Sequence, residues 1–497
     1  MRFIKKIGEV LFLLLPIALI AIDLLVISIP SWIVVTLLLI DIILVARQII
    51  SKKKKTRYNV ILGVAEGAIV LITLFGIYCN PYYNSISFHN DSYISEKADR
   101  TYTYRQAKQD IDTIYRYLKK DHPIYIKGKP EEETRKDIER AYQQVLKELK
   151  STDHITTITV WTELEKLLAS LHDAHTTAYW CSEDKHYLKY YKEHEDVGDK
   201  LVKVNGVALE DLFASHKNYF SYELESLAMD KLNSCVISLE GLEFLGIDVS
   251  QGTTYTYENQ GVEKDYSYTL DDYVTYDEYQ KYNSEDDKKA KPDQSFVRYK
   301  LDKEASLGIL TIDTCTINKV YRHTLNKFFA KVKQNNIKHV AVDLRENGGG
   351  NSLVINEFLR YLNIDKYYGG SSKWRLGFLY IPDSNKGIVN HKKDNLMYQG
   401  DVYILTSVNT FSSAMMYAEW IQDNHLGKIV GEIPGENPNG YGDVSIFKTP
   451  NAKIYAQIST KEFFRADSNN KDNCITPDYV CDSEKALDKI YEIIEGK

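Results

Sequence analysis

The chain has 497 residues, 44% apolar and 26% charged, which excludes an intrinsically disordered or low-complexity protein. Sixty-two basic against sixty-nine acidic side chains give a net charge of −7, without the basic footprint of a dedicated nucleic-acid binder. The six cysteines include no C-x-x-C pair and no Cys/His cluster at zinc spacing, which argues against a disulfide scaffold or a zinc module.

Charge and hydropathy divide the chain. The first 57 residues hold nine Lys/Arg and three Asp/Glu, or +6, which leaves −13 on the other 440. Residues 10–29 are an almost unbroken apolar run, interrupted by Pro16 and Asp23 and broken by Pro30-Ser31. Residues 32–46 resume it around Asp41, and residues 58–78 form a third run containing Glu66. Each run approaches the roughly 20 residues that cross a hydrocarbon core, so three spans are predicted over residues 1–80. A cleaved signal peptide would account for the first run alone. Arg2, Lys5 and Lys6 precede the first run, and Arg47, Lys52 to Lys55 and Arg57 lie between the second and third. Both clusters belong in the cytoplasm by the positive-inside rule. The expectation is a multi-pass cell-membrane protein, anchored in the lipid bilayer, with everything after about residue 80 extracytoplasmic. Asp23, Asp41 and Glu66 are expected to make helix-packing contacts or to stand as protonated carboxyls, with a proton or ion path as the rival reading.

Residues 80–100 read as a polar linker. Segments 103–120, 131–150 and 156–171 carry helical spacing, and the last ends at L-H-D-A-H-T-T, 171–177. Residues 81–177 are therefore a linker and helical module. Residues 178–300 read as a β-rich insert: a strand with an Asn-Gly turn at 200–207, a helix at 221–239, a hairpin at 255–270 around Asn259-Gln260-Gly261, and an exposed charged loop at 280–294. From 301 to 497 strands alternate with helices. Strands are predicted at 306–312, 339–344, 402–405 and 428–431, with helices at 320–335, from 352, and ending near 423. That alternation gives an α/β fold with a mainly parallel sheet. The 38 tyrosines are expected on an exposed, amphipathic surface.

Two strand-to-helix junctions carry the chemistry. In Asp343-Leu344-Arg345-Glu346-Asn347-Gly348-Gly349-Gly350, consecutive glycines let backbone N–H groups approach an anion or a developing oxyanion, although a plain turn has the same composition. In Thr410-Phe411-Ser412-Ser413-Ala414, a serine stands where a helix begins, as an ordinary N-cap or as a nucleophile on a strand-helix turn.

These two runs, followed by I-V-G-E with a glycine-rich turn and by Thr476-Pro477-Asp478, resemble the catalytic domain of the C-terminal-processing (tail-specific) and tricorn-type serine peptidases. With L-H-D-A-H-T the resemblance reaches back to about Thr101. It implies a Clp-protease/crotonase-like β-α core and a peptide or protein substrate, with neither metal nor cofactor. It assigns Ser412 as nucleophile. The oxyanion hole falls to Gly349 and the Ser413 backbone, with Gly348 as the alternative glycine. Tail-specific members carry a lysine in a G-K-G turn; here Gly435, Glu436 and Asn437 stand at that place, and Lys428 lies on the wrong side of V-G-E. A serine without a base is a poor nucleophile. The tricorn-type branch supplies histidine, which matches His175, with His172 competing. For the third residue the resemblance points to Asp472, with Asp467 second; Asp478 and Asp343 are expected to hold loops. G-D-K-L-V-K-V-N-G at 198–206 is similar to a PDZ stretch, but without its carboxylate-binding loop, so the insert is at most PDZ-like.

The sequence thus implies a membrane-anchored serine peptidase. A catalytically inactive peptide-binding or sensor protein on the same scaffold is the alternative, and a channel-like component built on Asp23, Asp41 and Glu66 a third. Cys474 and Cys481 remain candidates for a bridge.

Overall fold

The computed structural model describes residues 7, 10–51, 57–86, 93–126, 131–284, 295–383 and 387–496. The basic residues Arg2, Lys5, Lys6 and Lys52 to Lys55, and residues 285–294 of the charged loop, lie outside the described residues.

Among the described residues the N-terminal region includes the apolar helices α1 (Leu15–Leu25), α2 (Ser31–Ser51) and α3 (Arg57–Leu74), which runs on as a π-turn over Phe75–Cys79. Two segments, Ser31–Ile50 and Asn59–Cys79, are long and apolar enough to cross a membrane; α1, at 11 residues, is shorter than the predicted span. Asp23 is a local fastener. Its carboxylate accepts the Ile29 N–H at 2.6 Å and the Asn84 N–H at 2.9 Å, which ties the helix connection to the chain beyond α3. The predicted polar linker is pinned as well. Ile86 N–H donates to Ile446 O at 2.8 Å, and Ser95 N–H to Cys181 O at 2.7 Å.

The helical module follows as α4 (Tyr104–Asp121), α5 (Glu132–Ser151) and α6 (Thr157–Ala169), within a residue or two of the sequence reading. Capping boxes at Thr103/Gln106 and Thr156/Thr159 start α4 and α6 where the apolar spacing begins. After α6 comes β1 (Thr177–Tyr179). The insert is mixed rather than β-rich. Strands β2 (Lys200–Val204), β3 (Val207–Ala208), β4 (Thr253–Asn259) and β5 (Val262–Tyr268) form one antiparallel sheet, and helices including α7 (Glu225–Val236) lie between β3 and β4. Asn205-Gly206 and Gln260-Gly261 close their hairpins with positive φ at both positions, as two-residue turns require.

The remainder carries β6 (Val297–Asp302), β7 (Leu307–Ile312), α8 (Lys319–Gln334), β8 (His339–Asp343), α9 (Leu353–Leu359), β9 (Ser371–Leu376), β10 (Leu379–Asp383), β11 (Asp401–Thr406), α10 (Ser413–Asp423), β12 (Lys428–Gly431), β13 (Tyr441–Lys448), β14 (Tyr455–Phe464), β15 (Tyr479–Val480) and α11 (Ala486–Glu495). The main sheet has the order β6-β7-β8-β11-β12-β15, parallel except for β6 against β7. Its cores are the buried faces of these strands packed on α8, α9, α10 and α11. A second, antiparallel sheet runs β10-β9-β14-β13, and β1 also pairs with β14. That pairing fastens the helical module to the C-terminal half; the two share one apolar core, from Leu118 and Leu164 to Phe447 and Ile458.

Several tyrosines are core residues, contrary to the expected exposed surface. Tyr83, Tyr255, Tyr321, Tyr361, Tyr417 and Tyr455 are fully buried. Tyr255 and Tyr321 reach carbonyls of Val236 and Val354, so their hydroxyls are satisfied in the interior.

Candidate active site

Strand β11 ends at Thr406 and the chain turns sharply into α10 through Ser412. Ser412 has φ 55° and ψ −124°, a left-handed conformation that a non-glycine residue keeps only where its surroundings impose it. The surroundings are the glycine loop after β8. Phe411 N–H donates to Asn347 O at 3.0 Å, and Ser413 Oγ to Gly350 O at 2.8 Å. A Cβ at Gly349 (φ 100°) would lie 2.6 Å from Ser412 Cβ, so only glycine permits this approach.

The loop departs from the oxyanion assignment in one respect. Gly349 N–H already donates to Asn347 Oδ1 at 2.9 Å, and Asn347 is itself fixed through Nδ2 to Ile312 O at 2.8 Å. Gly348 is exposed. Of the three loop glycines, the one among the residues lining the cavity with Ser412 and Ser413 is Gly350.

That cavity, of about 610 Å³, brings His175 to Ser412. Leu171 to Thr176 form a turn between α6 and β1, organised by the buried Asp173. Its Oδ1 accepts the His175 N–H at 2.9 Å, and its Oδ2 accepts the Thr176 hydroxyl and faces His122 Nε2 at 3.1 Å. Burial pushes the Asp173 carboxyl up, but the His122 hydrogen bond and charge outweigh it and hold it at about 2. Thr176 Oγ1 accepts the Ser459 N–H at 3.0 Å, which pins the turn to β14. The His175 ring packs 4.5 Å from the Phe411 ring.

Glu436 joins the two. Its Oε2 accepts the Ser412 N–H at 2.5 Å, and its Oε1 lies 3.3 Å from His175 Nδ1. The latter contact has ion-pair distance without hydrogen-bond alignment; among the described residues neither ring nitrogen of His175 has a hydrogen-bond partner. Burial pushes His175 below the ordinary imidazole value; Asp173 opposes this and Lys231 adds to it. Burial and the neighbouring Glu223 push Glu436 well up. Glu223, raised by burial to about 8, accepts the Asn437 N–H at 2.6 Å and so holds the turn that carries Glu436.

The remaining sequence candidates lie elsewhere. Asp472 is exposed and is not among the cavity-lining residues; its carbonyl accepts from Arg465. Asp467 lines a neighbouring cavity of about 680 Å³. His172 is exposed, edge-on to Tyr222. Asp478 accepts the Ile429 N–H and Asp343 grips Arg345, both as loop fasteners. Lys461 lines the cavity but is paired with Asp443 at 2.5 Å. Cys474 and Cys481 are both free. The sequence reading missed Glu436, Glu223 and Gly350, although Glu436 stands at the very place where the lysine was sought.

Residues 306–481 match the model of Peptidase family S41. The S41 match takes in both strand-helix junctions and Glu436, and it supports a serine peptidase. Among solved structures, a mutant of CPAF is similar at 14% identity over 79% of this chain and 96% of that one, with a TM-score of 0.57. Mature CPAF complexed with lactacystin is 14% identical over 79% and 99%, with a TM-score of 0.55. The photosystem II D1 C-terminal processing protease is 12% identical over 78% and 97%, with a TM-score of 0.42. The likeness to the two CPAF structures shows a shared fold.

Proposed function

We propose that the chain is a membrane-anchored serine peptidase, cutting peptide bonds of extracytoplasmic proteins or peptides. Ser412 is the nucleophile and His175 the general base, then the acid that protonates the leaving amine. Glu436, rather than Asp472, orients the imidazole: with Nδ1 turned to the acid, Nε2 is left to take the Ser412 proton. The Ser413 and Gly350 amides hold the oxyanion in place of the Gly349 amide, which is already engaged by Asn347. The observation that carries the reading is that Glu436 contacts the Ser412 amide and His175 on one cavity wall. The apolar segments Ser31–Ile50 and Asn59–Cys79 support the anchor.

A peptide-binding protein without turnover is favoured by one observation, the absence of a hydrogen bond at either His175 ring nitrogen. Fluorophosphonate labelling decides between the two. The wild type should label and hydrolyse peptides, and Ser412→Ala should do neither. Labelling that persists in Ser412→Ala, or is absent from a folded wild type, would overturn the peptidase reading.

A further inference from the structure

Beyond the cavity, one apolar surface is left without a role. Strands β9 and β10 pair from Leu376↔Leu379 and are joined by Gly377-Phe378. From Leu376 to Pro382 the hairpin carries no charge. Phe378 is 80% exposed, and Leu379 and Ile381 are each 43% exposed. The cation just before the tip, Arg375, is turned inward: Nε donates to Gly377 O at 2.9 Å and Nη1 to His122 O.

The place of this tip identifies its partner. Gly377 sits against the last residues of the apolar Asn59–Cys79 segment; a Cβ there would be 3.0 Å from Cys79 Cα and 3.2 Å from Tyr78 O. Tyr78 and Phe75 on that segment are themselves exposed, so the apolar surface passes from the helix onto the hairpin. The juxtaposition is braced. Tyr82 and Trp374 rings lie 6.4 Å apart, and Ser85 and Ile86 hydrogen-bond to Ile446 of β13. An apolar tip level with the end of a spanning helix meets the bilayer interface, where aromatic side chains are favoured.

We propose that the Phe378 hairpin dips into the outer leaflet of the bilayer, a second membrane contact beyond the helices. This rests on the reading of Ser31–Ile50 and Asn59–Cys79 as membrane-spanning. The contact sets the height of the cavity. Trp374 of β9 is paired with Lys461 of β14, and Lys461 and Phe463 line the cavity. Gly377 of the turn is three positions from Trp374, about 10 Å at strand rise. The cavity is thereby held near the membrane surface, within reach of peptide segments that emerge from it.

The test uses the full chain in phosphatidylcholine vesicles, with acyl chains either brominated or plain, and compares wild type with Phe378→Trp. The native Trp32 on α2 reports on the spanning helices. The proposal expects the emission added by the new indole at the hairpin tip to be blue-shifted and mostly lost in brominated lipid. Unquenched added emission with wild-type emission still partly quenched would overturn the hairpin contact and leave the anchor standing. No quenching in either protein would overturn both. Fluorophosphonate labelling of Phe378→Trp equal to wild type verifies that the variant is folded.

Discussion

Two buried histidines face two buried carboxylates around one turn, where Asp173 and His175 stand two residues apart, and they differ in what else they touch. His122 is wholly buried. Its Nε2 meets Asp173 Oδ2 at 3.1 Å, and its Nδ1 accepts the Ile124 N–H at 3.2 Å. Those contacts engage both ring nitrogens and hold the ring as part of the turn. His175 faces Glu436 at 3.3 Å, opens on a cavity, and has neither nitrogen hydrogen-bonded among the described residues. The same chemistry, enclosed, holds a turn in place; on the proposed reading, at a cavity wall, it moves a proton.

The sharpest way to break this comparison is to exchange the acids. If Glu436 orients His175, Glu436→Gln should lower kcat by about 10⁴-fold, as loss of the orienting acid does in a serine triad. Melting temperature should change little. Asp472→Asn, on an exposed loop, should leave kcat/KM at the wild-type level. Equal losses in both variants would return the third position to the loop near Pro477.

The outcome bears on what the sequence revealed. The helices α4 to α6, both insert hairpins and the β/α alternation were legible because each is set locally, by apolar spacing, caps and turn residues. Ser412 and His175 were singled out through short motifs, and the fold places both on one cavity. Glu436 was not, although Gly435-Glu436-Asn437 stood in view. A carboxylate at a lysine's place reads as a missing base until the fold shows that its partner comes from a turn some 260 residues earlier. That the Gly349 amide is engaged was hidden for a similar reason. Which amide of three glycines is free depends on the side chain of Asn347, and pattern alone does not show that. The buried tyrosines were hidden because tertiary burial overrides surface expectation.

The second prediction probes the satisfied pair. Asp173→Ala removes the acceptor for His122, for the His175 N–H and for the Thr176 hydroxyl. Breaking one side of such a buried pair costs about 3–5 kcal/mol, so the variant should melt well below the wild type. Activity should fall with it, because the turn that presents His175 is lost. A melting temperature unchanged in Asp173→Ala would remove the distinction between a structural and a reactive pair.

The smallest effect is a pH dependence carried by His175. Burial disfavours the charged form of His175 and holds its folded-state value below the ordinary 6.5. A general base must be neutral, so hydrolysis should persist as pH falls through 6.5 and decline only below it. The acid midpoint of kcat/KM is therefore expected under 6.5. The same sign governs stability. At pH below 6.5 the unfolded chain binds a proton on this residue that the folded chain resists. The contribution of His175 is therefore present above the unfolded value and is lost as pH falls. Wild type should lose more stability than His175→Ala between neutral and mildly acidic pH, measured by denaturant unfolding at each pH. An acid midpoint above 6.5, with no difference between the two proteins in that window, would mean that His175 is solvated and charged like a surface histidine, and the contrast with His122 would fail.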